Sequence, residues 1–206
     1  MRLPWMSLRD RRAWKGAETF AELGDLMARW LEGKIASRPG YAPRYGPDKE
    51  TVGLIATLAA ACRAGYITTV SQPGLAESGF GMWWEQRAAV TGLVTDPGLL
   101  ARLTAAALDD GLVVLVDDYD AETYSEPYVV TTCDGEPVTA FGGPVGHEDM
   151  AVEWHGLGPT LASQAAGGTY LTIAAPEYGT AGERLWPLLD RVTGRRPAND
   201  PRTHSC

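Results

Sequence analysis

Helical and extended segments follow one another along this chain without alternating, and that order restricts the fold more than any single motif does. The sequence gives helix, helix, strand, strand, helix, strand, hairpin, strand and helix in turn. Strict βα alternation would build a parallel sheet with helices on both faces. Its absence predicts an α+β domain, with helices packed on a mixed or largely antiparallel sheet. A TIM barrel is further excluded because 206 residues are too few for eight βα units. The same length suits one domain, and an apolar fraction of 45% is enough to close its core.

Local signals place the elements. Ser7 caps a short basic helix reaching Gly16. Thr19 and Glu22 form a capping box ahead of a helix over Phe20–Glu32, with Phe20, Leu23, Met27, Trp30 and Leu31 at helical spacing and Gly33 as its stop. A Pro- and Gly-rich loop over 36–47 carries Tyr41 and Tyr45. A second helix is expected over Asp48–Ala64, burying Val52, Ile55, Leu58, Ala59 and Cys62, with Gly65 after it. Strands are expected over Tyr66–Val70, Met82–Val94 and Tyr170–Ala174, and the apolar run Leu112–Val116 predicts a central strand. Tyr128–Thr132 and Pro137–Phe141 flank an Asp-Gly step, which predicts a hairpin. Asp96-Pro97 opens a helix ending near Gly111, a short helix is expected around Glu148–Trp154, and a last helix over Thr180–Val192. The expected organisation is a basic helical extension over 1–18, one ligand-binding domain over 19–194, and a loose tail over 195–206.

Charge and composition remove several function classes. A net charge of −8 repels phosphate backbones, so nucleic acid is not an expected partner. Cys62, Cys133 and Cys206 are widely spaced and form no CxxC pair, which fits reduced thiols in the cytoplasm. No run of about 18 apolar residues exists to span a membrane. GxSxG, P-loop and HExxH patterns are absent. His147, Glu148 and Asp149 are adjacent rather than spaced to share one face, so no metal is expected there. His155 reads as a packed surface histidine, Cys133 lacks a basic neighbour, and Asp117, Asp118 and Asp120 read as a polar strand exit.

One constellation stands apart. Glu50 and Thr51 sit in the first turn of the second helix, and the strand that follows it carries Thr68 and ends at Ser71-Gln72-Pro73. A carboxylate and hydroxyls on rigid elements suit the hydroxyls and amines of a nucleoside. Dipole-favoured glutamate and strand-favoured threonine explain the same residues equally well.

The run ETVGLIATLAAACRAGYITTVSQP, Glu50–Pro73, resembles the start of the C-terminal regulatory domain of eukaryotic-type methylenetetrahydrofolate reductases, with its ETS-helix-GFLTINSQP pattern. ARWLEGKI (28–35), QRAAVTGLV (86–94), VTAFGGPVG (138–146) and TYLTIAAPEYG with Leu185-Trp186 extend the likeness in the same order. The resemblance implies a non-catalytic domain that binds S-adenosylmethionine or S-adenosylhomocysteine. Its pocket residues would be Glu50, Thr51, Thr68, Ser71 and Thr139. Val70 and Ala140 depart from the family's Asn and Trp. No barrel counterpart is present, so neither flavin nor folate reduction is implied.

Three functions are therefore carried forward. The first is a sensing or regulatory domain for such a ligand, with Tyr41, Tyr45 or Trp83 stacking on it. The second is an enzyme acting on a sulfonium or nucleoside in the same pocket. The third is an interaction module with Met82, Trp83 and Trp84 at its surface. A homodimer or a protein partner is compatible with each.

Overall fold

Ser7 Oγ accepts a hydrogen bond from the Asp10 amide at 3.0 Å and starts α1, Leu8–Gly16, in the computed structural model, which describes residues 5–118, 125–143 and 152–195. The capping box at Thr19 and Glu22 forms as the sequence predicts and opens α2, Phe20–Leu31. Leu23, Met27, Trp30 and Leu31 on that helix are buried. Trp14 joins α1 to the same core: it is 1% exposed, and its indole N–H donates to the Ser37 carbonyl at 2.9 Å.

The expected helix over 48–64 is divided. Lys49–Leu54 winds as a 3₁₀ segment before α3, Ile55–Arg63. The tighter winding turns Val52 out to 62% exposure, away from the buried face that an α-helix would have given it. Leu58, Ala59 and Cys62 remain buried. Gly65 follows at φ 100°, a left-handed conformation that favours glycine. The chain then enters β1, Tyr66–Gln72.

Among the described residues seven strands form one sheet, and every pairing is antiparallel. After β1 come β2 (Leu75–Gly79), β3 (Met82–Val94), β4 (Val113–Asp118), β5 (Tyr128–Cys133), β6 (Glu136–Phe141) and β7 (Thr169–Tyr178). The order is β4-β7-β3-β5-β6, with β1 and β2 also paired to β3. β3 is the shared strand. Its C-terminal half pairs with β1 and β7, and its N-terminal half with β2 and β5. The expected α+β class, with a largely antiparallel sheet, is what the chain adopts.

Gln72 holds the place where these halves meet. Its side-chain amide donates to the Arg87 and Val130 carbonyls, each at 3.0 Å, and its Oε1 accepts from the Thr131 hydroxyl at 3.1 Å. Next to it, β3 changes register with β7 between Arg87 and Ala89.

Three further helices complete the described set: α4 (Pro97–Asp109), α5 (Pro159–Ala166) and α6 (Leu185–Thr193). Helix and sheet residues together build the main core. Successive strand residues point to opposite faces, so Val90 and Ile173 enter this core while their neighbours Ala89 and Ala174 join a small second cluster with Val130 and Phe141.

Several expectations are corrected. β4 lies at the end of the sheet order, not at its centre. Its apolar run has a different cause: Val113 packs on the small cluster and Val114 on the main core, so both faces are covered. β2 and α5 occupy Leu75–Gly79 and Pro159–Ala166, where local signals placed neither a strand nor a helix. The start of the last helix, Gly179–Arg184, is 3₁₀. The Asp-Gly turn behaves as predicted, with Asp134 at φ 50° and Gly135 at φ 84°. The helix expected around Glu148–Trp154 lies mostly outside the described residues, as do His147, Glu148, Asp149, Asp120 and the tail from Arg196. Among the described residues, no helix is long and apolar enough to cross a membrane.

Candidate functional site

The 3₁₀ segment, α3, β1 and the loop over 36–47 all contribute residues to one cavity. The space enclosed is about 280 Å³ and is lined in part by Trp30, Arg38, Tyr41, Asp48, Thr51 and Ser71. Thr68, Thr69 and Leu58 complete its inner wall. A 3₁₀ start to the helix and a strand that extends to Gln72 are what bring Thr51 and Ser71 to one cavity.

Of the five residues that sequence reasoning proposed, Thr51, Thr68 and Ser71 line this space. Among the described residues, the hydroxyls of Thr51 and Ser71 have no hydrogen-bond partner. Thr68 is 5% exposed, with its Oγ1 at 3.3 Å from Cys62 Sγ. Burial pushes that thiol's pKa up, which keeps Cys62 in its neutral form.

Glu50 and Thr139 are placed elsewhere. Glu50 is exposed on the 3₁₀ segment, and its Oε2 accepts from Gln86 Nε2 at 3.5 Å, the outer limit for such a bond. Thr139 is exposed on β6, opposite Thr131 of β5. Neither lines the cavity. Of the aromatic candidates, Tyr41 is at the wall, Tyr45 is 66% exposed, and Trp83 is 47% exposed on the β2–β3 hairpin.

Sequence reasoning missed Arg38 altogether. It is 5% exposed and lies over two rings, 5.0 Å from the centroids of both Trp30 and Tyr41. Its Nη1 donates to Glu153 Oε1 at 2.7 Å, while its Nε is buried without a partner. The Trp30 and Tyr41 rings meet edge to face at 5.5 Å. No local signal marks this cluster, because Glu153 is 115 residues away in the chain. Tyr41 Oη donates to Asp48 at 3.3 Å, and burial followed by the Asp48 charge raises the phenol's pKa.

The chemistry on offer is recognition. One side presents hydroxyls, the floor a guanidinium, and the rim a carboxylate. The polar strand exit at Asp117 is a structural device instead. Its carboxylate accepts from the Ser125 amide at 2.9 Å and the Gly143 amide at 3.3 Å. His155 is exposed, with its ring nitrogen against the Val152 carbonyl. Among the described residues there is no group of three or more potential metal ligands.

A family model matches residues 9–194. The chain belongs to DUF6919, a family described as a domain of unknown function. No curated protein matches it. The DUF6919 match runs from α1 into the end of α6, so every residue that lines the cavity lies within the family domain.

Proposed function

We propose that this domain binds a small nucleoside-bearing ligand of the S-adenosylmethionine and S-adenosylhomocysteine class, and acts in the cytoplasm as a sensing or regulatory unit. The observation that carries this reading is that Thr51, Thr68 and Ser71 line one cavity together with a buried arginine. The unpartnered Thr51 and Ser71 hydroxyls suit ribose or amine groups, and Arg38 with Asp48 suits the two charges of an amino-acid arm. At about 280 Å³ the cavity falls just below the usual ligand range of roughly 300–1,000 Å³. It would take one end of such a ligand and leave the other towards solvent.

Charge ranks the two ligands. Trp30 and Tyr41 already face a guanidinium, so a sulfonium beside them meets a like charge. The neutral thioether of S-adenosylhomocysteine avoids this. Turnover has less support: among the described residues the lining holds no histidine or cysteine, and the Tyr41 phenol is pushed up, away from use as a base near neutrality.

Titration calorimetry tests the reading. S-adenosylhomocysteine should bind more tightly than S-adenosylmethionine. Thr51→Val and Thr68→Val should each weaken it about five- to tenfold, the value of one hydrogen bond. Flat traces with both ligands would sink it.

A second reading, an interaction module, is favoured by the β2–β3 hairpin. Phe80 at its tip is fully exposed, and Met82 and Trp83 beside it are 38% and 47% exposed. Flat calorimetry together with Phe80-dependent self-association would support that alternative.

A further inference from the structure

A separate cavity contradicts the overall charge of the chain. It is about 480 Å³ and lies where the start of α1 meets the end of α2 and the loop that follows, lined by Ser7, Arg9, Asp10, Arg29, Lys34 and Arg44 among others. Four cations therefore surround one space in a protein of net charge −8. Arg29 and Lys34 have carboxylates nearby, Asp25 at 3.9 Å and Glu32 at 2.7 Å. Among the described residues, Arg9 and the Arg44 side chain have no partner.

The loop holds Arg44 at φ 64°, with its amide donating to Ser37 Oγ at 3.0 Å. One further observation indicates that the cavity is built for a ligand. Asp10 is only 9% exposed, and its Oδ2 is buried without a hydrogen-bond partner. Four cations line the same space, yet none of them forms an ion pair with Asp10 among the described residues. Asp10 Oδ1 has no hydrogen-bond partner among the described residues either, and a nearly buried carboxylate in this state calls for a donor from within the cavity.

We propose that this cavity binds a small phosphate monoester that carries its own ammonium or hydroxyl group. The phosphoryl oxygens take charge-assisted bonds from Arg9 and Arg44, with Lys34 and Arg29 adding field, and the ligand's donor meets the Asp10 carboxylate. The negative charge of the whole surface opposes a long phosphate backbone while leaving a small anion free to enter. This assignment is independent of the cavity at Thr51 and Thr68.

Calorimetry at low salt with O-phosphoethanolamine and ethyl phosphate separates the two halves of the recognition. The intact protein should prefer O-phosphoethanolamine about tenfold, since only it carries a donor for Asp10. Arg9→Gln with Arg44→Gln should weaken both probes about tenfold or more. Asp10→Asn should erase the preference and retain ethyl phosphate binding, with a thermal unfolding curve to confirm that the variant is folded. The proposal is overturned by flat traces with both phosphates, or by affinities that ignore Arg9 and Arg44. It is equally overturned by a preference that survives Asp10→Asn, or by a single-stranded oligonucleotide that outcompetes both probes.

Discussion

Glu153 supplies the carboxylate for Arg38, at 2.7 Å, although the arginine side chain is 6% exposed and the glutamate 25%. Arg38 also reaches the Thr69 carbonyl on β1, at 3.4 Å. The pair therefore ties the loop over 36–47 to β1 and to the segment before α5. Removing one member of such a pair strands the other. Glu153→Gln should lower stability by about 2–3 kcal/mol, below the fully buried range because Glu153 retains some solvent. Arg38→Met, which removes the charge that needs a partner, should cost less. Urea denaturation of both variants checks this, and equal losses would contradict it.

α2 and α3 touch at Gly24. A Cβ added there would fall on the Cys62 carbonyl oxygen and within 3.2 Å of Ile67 Cδ1. Backbone cannot yield as a flexible side chain does, so the helices must part. Gly24→Ala should cost about 3 kcal/mol despite alanine's better helix propensity. A midpoint at or above the parent's in urea would refute the close approach.

Gln72 is fully engaged: two donors meet two carbonyls, and its own oxygen meets a hydroxyl. Gln72→Glu replaces the donors with a carboxylate facing the Arg87 and Val130 carbonyl oxygens. It should destabilise the domain by about 3 kcal/mol or more at neutral pH. Gln72→Ala, which leaves the carbonyls unpaired without adding charge, should cost less. Thermal unfolding of the two variants in parallel gives the ranking.

Acid should loosen the α2–α3 junction. Glu32 closes α2 and accepts from Arg63 of α3 at 2.6 and 2.9 Å. Those bonds, then one from Lys34, lower its pKa from 4.5 to about 2. The stabilisation is therefore complete above pH 4.5 and is lost as pH falls towards 2. Arg63 is 39% exposed, so solvent screening holds the effect to about 1 kcal/mol. Arg63→Gln should flatten this part of the stability–pH profile, as measured by urea midpoints between pH 5 and 2.

What was legible in the sequence was whatever local chemistry dictates. The Thr19 capping box, the Gly65 stop, the strand Met82–Val94 and the Asp134-Gly135 turn each carry their cause within a few residues. β4 misled because Val113 and Val114 report two covered faces, a property of distant neighbours. Thr51, Thr68 and Ser71 could be grouped because a single helix–strand turn connects them. Arg38 could not, since its carboxylate lies 115 positions away. Glu50 appeared to belong with Thr51, but adjacent residues on a tight helical turn point in different directions.

β7 follows both β3 and β4 in the chain, yet it lies between them and pairs with both. On the ribosome the segments before β7 can form hairpins and helices, while the inner edge of β3 waits for a neighbour about eighty positions downstream. The nascent chain must carry that open edge until residue 178 has emerged, which makes premature termination before Thr169 a source of aggregation, not of a smaller working domain.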